Sequence, residues 1–326
     1  MNDQILKIQW ERYEEHINLS PVYLKSIIKL YISDEIVAIK PMTEGCANTN
    51  YKISFKRHIP VVFRIYTRDS RAMGREADIF RVVHEHVPVP SIIALDDTKK
   101  HINYSFGIFT YIRGISMREL VLAGDEKIIS ACCIDAGRYL AALSNIRFPK
   151  QGFFEENLKI KYFMNNYINY FMAQLEDRNI KRELGKNIIN KLQKLIYENE
   201  KYLPDINQAN LTHGDYDPAN IKVGKIKNRW GVVGILDWEF AFSGSYYFDI
   251  GTMLRFSHKL PKYYERSFIT GLEQHGLKLP QDWRKYARLI DLLSLLQLLR
   301  FNSKDARPKL NSDVTALIKY TLNNWE

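Results

Sequence analysis

Near Gly114 the sequence changes its hydrophobic period, so its two parts cannot fold by one plan. Ahead of that point, short runs rich in Val, Ile, Phe and Tyr predict strands at residues 36–41, 51–55, 61–66, 91–95 and 103–112. Ser20-Pro21 opens an apolar helical stripe, and residues 71–86 read as a helix that ends before Pro88 and Pro90. Behind Gly114, apolar residues recur at helical spacing over 127–145, 159–177 and 181–201, and again beyond Tyr263. One strand-rich island, 221–237, interrupts them. This is not a regular strand–helix alternation, which argues against a doubly wound sheet and for an α+β chain. The expected division is a small sheet-rich lobe at 1–112 and a larger helical lobe at 113–326.

The chain has 326 residues, enough for two packed lobes, and its 46% apolar and 26% charged content is ordinary for a globular protein. The run at 292–299 is broken by Ser294 and Gln297 and flanked by Asp291 and Arg300, so it reads as a buried helix and no membrane association is expected. The opening MNDQILKIQWERYEEH carries charge where a signal peptide needs an apolar stretch. Three cysteines, Cys46, Cys132 and Cys133, make no disulfide framework, and a reduced, cytoplasmic protein is expected. The net charge is +10. Its basic residues are dispersed, so a nucleic-acid partner is not expected.

The chemistry concentrates in LTHGDYDPANIKV, residues 211–223, followed by VVGILDWE, residues 232–239. Asp215 and Asn220 lie five apart on a stretch made irregular by Gly214 and Pro218. Asn220 leads into an apolar strand, and a second strand returns to end at Asp237. A hairpin through 225–230 would set Asn220 beside Asp237: an amide oxygen and a carboxylate facing one point, with a second carboxylate close by. Magnesium takes few hard oxygen ligands from protein and leaves room for phosphates and water. The other carboxylate, Asp215, is placed to orient an attacking hydroxyl.

This arrangement resembles the catalytic core of protein kinases, with His-Gly-Asp in place of His-Arg-Asp and Asp-Trp-Glu in place of Asp-Phe-Gly. Those departures are similar to the aminoglycoside phosphotransferase family of kinase-like enzymes, which also includes choline and homoserine kinases. The resemblance runs from about residue 36 to residue 299. It implies a bilobal protein-kinase-like fold with a small antiparallel sheet and a larger helical lobe. It implies that Asp215 is the catalytic base, that Asn220 and Asp237 hold Mg2+, and that ATP or GTP is the phosphoryl donor.

In the first lobe the resemblance makes 44–51 the loop over the nucleotide phosphates, with Asn48 in it; an ordinary hairpin turn is the plainer reading of that stretch. Arg64 stands where a strand cation meets the α- and β-phosphates, and Glu76 where a helix carboxylate holds that cation. The backbone from Thr110 to Ile112 matches the hinge that takes the base edge. His213 and Asp249 read as braces of the loop, and Asp217 as a loop or substrate-facing residue. Tyr162, Phe163, Tyr167, Tyr170 and Phe171 fall at helical spacing and read as core or as an aromatic substrate wall.

The expected activity is transfer of a γ-phosphoryl group to a small-molecule hydroxyl, on an antibiotic such as an aminoglycoside or macrolide, or on a sugar or amino alcohol. A nucleotide-binding pseudoenzyme or regulator is the alternative, because residue 64 is Arg and the phosphate loop is poor in glycine. The segment 113–326 holds 32 basic against 24 acidic residues, which weighs against a polycationic substrate.

Overall fold

The structure, a computed structural model, describes residues 6–12, 14–42, 48–67, 69, 71–161, 166–301 and 306–325. The chain forms two compact units, Arg12–Arg113 with Glu156–Leu158, and Met1–Glu11 with Gly114–Glu155 and Lys159–Glu326.

The first unit holds helix α1 (Pro21–Ile28), strands β1 (Ile36–Met42), β2 (Thr49–Phe55) and β3 (Val61–Tyr66), helix α2 (Ala72–Val83), and strands β4 (Ile92–Asp96) and β5 (Ser105–Thr110). The sheet order is β1-β2-β3-β5-β4, with every neighbouring pair antiparallel. Alternation explains its core. Along β2 and β3, Tyr51, Ile53, Phe55, Val61, Phe63 and Ile65 are buried, and the residues between them are half-exposed. They pack with Leu24, Ile27 and Ile28 of α1 and with Phe106 and Ile108 of β5. Arg64 lies on the opposite face of β3 from Phe63 and Ile65.

The second unit runs β6 (Ile115–Ser116), α3 (Met117–Ala123), α4 (Glu126–Ser144), β7 (Gly152–Phe154), β8 (Ile160–Lys161), α5 (Tyr167–Leu175) and α6 (Arg178–Glu198). Then come β9 (Asn210–Thr212), β10 (Ile221–Ile226), β11 (Arg229–Ile235), β12 (Phe242–Gly244), α7 (Tyr247–Leu254), α8 (Lys262–Gln274), α9 (Trp283–Arg300) and α10 (Pro308–Asn323). Helix α9 is apolar on several sides because it is surrounded: α5, α6, α7 and α10 all pack on it, and Leu289, Leu292, Leu293, Leu296 and Leu299 are fully buried. The helix expected at 159–177 begins later. Ile160 and Lys161 are extended and pair with Phe153 and Phe154, and α5 starts behind the cap of Asn166. Helix α6 starts at Arg178 because the Asp177 carboxylate takes the first N–H groups. Of the aromatic set at 162–171, Tyr162 and Phe163 lie outside the described residues, and Tyr167 and Phe171 are core.

Strands β10 and β11 form the expected hairpin, with Ile226 opposite Arg229. Lys227 (φ 45°) and Asn228 (φ 68°) turn it, and two residues with positive φ match the right-handed twist of the strands. Ile221 lies opposite Ile235, and the Leu236 N–H donates to the Asn220 carbonyl at 2.9 Å. Asn220 and Asp237 therefore flank the same end of the hairpin.

Candidate active site

The loop from His213 to Asn220 is anchored from α7. Asp249 is fully buried; its Oδ2 accepts from the His213 N–H at 2.8 Å and its Oδ1 from the Gly214 N–H at 2.9 Å. Burial pushes the Asp249 carboxyl up to about 7, the nearby Asp215 charge adds to the rise, and the two N–H bonds offset only part of it. Gly214 has φ +79°, and a Cβ there would sit 2.4 Å from the Phe240 carbonyl oxygen, so the turn before Asp215 requires glycine. His213 is fully buried against Trp238 and Tyr216. Its Nδ1 accepts from the Asp215 N–H, which leaves Nε2 as the protonated nitrogen, donating to the Leu236 carbonyl at 3.0 Å. His213 thus ties the loop to the end of β11.

Asp215 and Asn220 meet directly. The Asn220 Nδ2 donates to the Asp215 carbonyl at 3.0 Å and to Asp215 Oδ2 at 2.9 Å. Two oxygen acceptors fix which end of the amide is nitrogen, and Oδ1 is left as the end suited to a cation. Asp237 adopts the left-handed region (φ 68°, ψ 58°), a conformation that costs an aspartate about 1 kcal/mol. Asp217 is fully buried, with Oδ1 accepting from the Ala219 N–H at 2.9 Å. It shapes the loop and does not face solvent.

Sequence reasoning missed one member of this centre. Lys7, from the extreme N-terminal stretch, places its Nζ 2.5 Å from Asp215 Oδ1 and 3.5 Å from Asp217 Oδ2. Burial works to raise the Asp215 pKa, but the Lys7 ammonium, its hydrogen bond and the charge of Arg255 hold it below the usual carboxylate value. Burial works to lower the Lys7 pKa, and the two aspartates more than reverse this. Arg255 is locked by Asp291, with Nη2 to Oδ1 at 2.6 Å and Nε within 3.1 Å of both oxygens. No local signal marks Lys7, which lies 208 residues from its partner in sequence.

In the sheet unit, Arg64 Nη1 donates to Glu76 Oε1 at 2.7 Å and its Nε to Asn50 Oδ1 at 3.1 Å. Glu76 is 1% exposed, and Tyr66 donates its hydroxyl to the other carboxylate oxygen. The ion pair expected from the spacing is present. Asn48 is buried and its carbonyl accepts from Arg12 Nη2 at 3.0 Å; residues 43–47, including Cys46, lie outside the described residues. At the expected hinge, the Thr110 N–H is committed to the Ser91 carbonyl, its hydroxyl accepts from the Ser91 N–H, and the Tyr111 N–H donates to the Pro60 carbonyl. Thr110 therefore has no N–H to offer a base edge. The Ile112 N–H makes no hydrogen bond among the described residues.

The sequence matches the model of the phosphotransferase enzyme family over residues 38–289, which takes in the Arg64–Glu76 pair, the Asp215 loop and Asp237. The chain belongs to this family. No curated protein matches it. Solved structures do match this phosphotransferase. The gentamicin complex of APH(2")-IIa is similar at a TM-score of 0.65 and 17% identity, over 93% of this chain and 97% of that one. ADP-bound aminoglycoside phosphotransferase APH(2'')-Ib gives 0.63 and 18%, over 94% and 99%. A thermostable mutant of aminoglycoside phosphotransferase APH(4)-Ia, in a ternary complex with ADP and hygromycin B, gives 0.62 and 15%, over 90% and 97%. The likeness shows that the phosphotransferase has the α+β, kinase-like fold of these enzymes. Among the described residues no helix is long and apolar enough to cross a membrane.

Proposed function

We propose that this phosphotransferase is a magnesium-dependent kinase that moves the γ-phosphoryl group of ATP or GTP to a hydroxyl of a small molecule. One observation carries the reading: Asn220 holds Asp215 with its amide nitrogen, and the β10–β11 hairpin brings Asn220 and Asp237 to the same end. An amide oxygen from Asn220 and a carboxylate from Asp237 are hard oxygen donors of the kind that Mg2+ takes. When bound, the ion offsets the charge of the phosphates.

Asp215 orients the acceptor hydroxyl for in-line attack. As the new O–P bond forms, the hydroxyl proton passes to Asp215, and the breaking P–O bond leaves its electron pair on the nucleoside diphosphate. Asn220 and Asp237 hold the metal. Arg64, steadied by Glu76 and Asn50, receives the α- and β-phosphates, with the backbone at Asn48 covering the phosphates. The base edge is read at Ile112 through its N–H and at Thr110 through its carbonyl only.

The similar structures bind gentamicin or hygromycin B, which supports a hydroxyl-rich acceptor. The +10 net charge favours a neutral or less cationic acceptor, such as a macrolide, a sugar or an amino alcohol, over a polycation. The deciding experiment is a coupled nucleotide-consumption screen with ATP and GTP over aminoglycosides, macrolides, sugars and amino alcohols, with Asp215→Asn as control. Acceptor-dependent turnover that the substitution removes supports the reading. Turnover that survives it sinks the role of Asp215, and nucleotide binding without turnover on any acceptor favours the pseudoenzyme.

A further inference from the structure

Lys7 reaches Asp215 from a strap that is pinned on both sides. Leu6 is buried in the core of the helical unit, 1% exposed. Beyond Lys7, the Trp10 indole N–H donates to Asp313 Oδ2 at 3.0 Å. The Glu11 carboxylate accepts from the Lys309 N–H at 2.8 Å and the Leu310 N–H at 3.2 Å, at the start of α10, and the Glu11 carbonyl accepts from Arg307 Nε at 2.9 Å. An acidic group at a helix N-terminus is a favourable anchor. Leu6, Lys7 and Gln9 take φ values of 50°, 57° and 60°, conformations that side chains rarely adopt and that persist where surrounding contacts enforce them. A segment built to leave the site would not be fixed at each end in this way.

The two oxygens of Asp215 are held from two directions, Oδ1 by Lys7 at 2.5 Å and Oδ2 by Asn220 at 2.9 Å. Two fixed contacts define the plane of the carboxylate. A carboxylate has about four lone-pair sites, so room for an acceptor hydroxyl remains. Asp217 Oδ2, fully buried and without a hydrogen-bond partner among the described residues, faces the same ammonium at 3.5 Å. Lys7 thus adds an ammonium in direct contact with two nearby carboxylates that otherwise face only the more distant charge of Arg255, whose hydrogen bonds go to Asp291.

We propose that Lys7 is a positioning residue of the catalytic centre: its ammonium fixes the Asp215 carboxylate for the acceptor hydroxyl and makes the N-terminal strap part of the site. The inference rests on the phosphotransfer reading above. Lys7 keeps its protons throughout; the acceptor's proton goes to Asp215.

The test uses the full chain, MgATP and MgGTP as probes, and water as acceptor, with kcat and KM read separately for Lys7→Met, Lys7→Arg, Asp215→Asn and the Lys7→Met/Asp215→Asn pair. Lys7→Met is expected to lower kcat about tenfold or more with KM within about twofold, and Lys7→Arg to recover part of the loss. The double variant should be no slower than Asp215→Asn alone, because Lys7 acts through Asp215. In the nucleotide-free protein, the Asn220 side-chain amide resonance should shift in Lys7→Met and stay near its native position in Lys7→Arg. A Lys7→Met enzyme as fast as the parent, or faster, overturns the inference, and so does a double variant whose losses multiply. An Asp215→Asn enzyme at the parental rate removes the role of Asp215 on which the inference rests, however Lys7 behaves, and nucleotide binding with no turnover by the parent removes the phosphotransfer reading itself. If Lys7→Met does not fold by circular dichroism, Glu11→Ala loosens the strap with Lys7 intact; it should lower kcat without moving KM, and an unchanged kcat overturns the proposal.

Discussion

Asp249→Ala tests how the catalytic loop is held. The substitution removes the acceptor of two N–H groups, that of His213, which is buried, and that of Gly214, which is partly so. A buried donor left without a partner costs about 1–3 kcal/mol, so the loss at low pH is about 2–4 kcal/mol. The pH dependence supplies the sharper arm. The folded-state pKa of Asp249, about 7, lies above its ordinary value of 3.8, so the folded protein binds this proton more tightly than the unfolded chain does. The stability this proton contributes is fully present below 3.8 and is lost as pH rises through 7. Linkage puts the loss between pH 5 and pH 8 at about 3 kcal/mol. The cost of Asp249→Ala, measured by urea unfolding, should therefore shrink by about that amount across this range. A cost that stays flat or grows with pH would mean that the carboxylate is ionised throughout and that the two N–H groups outweigh its burial. Amide hydrogen exchange gives the local readout: His213 and Gly214 should exchange faster in the variant while amides of α9 do not.

Four further outcomes are expected. Asp215→Asn should cut turnover on an identified acceptor at least about a hundredfold while nucleotide still binds in calorimetry. Asp237→Ala should abolish the magnesium-dependent part of nucleotide affinity, and an unchanged magnesium titration would count against its metal role. Glu76→Gln removes the charge of the carboxylate that Arg64 Nη1 donates to and should raise the nucleotide KM more than it lowers kcat; the reverse split would contradict a phosphate-binding Arg64. Asp291→Ala strands the Arg255 guanidinium, whose side chain is 3% exposed, and should cost about 3–5 kcal/mol in chemical unfolding, with Asp291→Asn recovering part of it.

What the sequence shows and what it hides divide along the range of the interaction. The hairpin from Ile221 to Ile235 was legible because two apolar runs with a short polar stretch between them are a local signal, and their pairing brings Asn220 and Asp237 to one end. The Arg64–Glu76 pair was legible through the family resemblance, with the twelve-residue spacing in its favour. Residues 159–161 misled because Ile160 fits a helical stripe as well as a strand, and its pairing with Phe154 is a tertiary contact that periodicity cannot register. Thr110 was only partly legible for a related reason: the resemblance points to a hinge position, but whether its N–H is spent depends on the chain at Ser91.

Lys7 is the limiting case. Its partner lies on a loop 208 residues away, and its approach depends on Leu6, Trp10 and Glu11 finding sites on the helical unit, the last two on or beside α10. None of those sites has a pattern in the sequence near Lys7. Its place can nonetheless be argued backwards from the loop. Two aspartates within three residues, one of them fully buried, favour a cation in contact with them; the Arg255 charge acts on both, but its hydrogen bonds go to Asp291. A further cation in contact with the 215–217 turn fits that balance, and the chain supplies it as the Lys7 ammonium from 208 residues away.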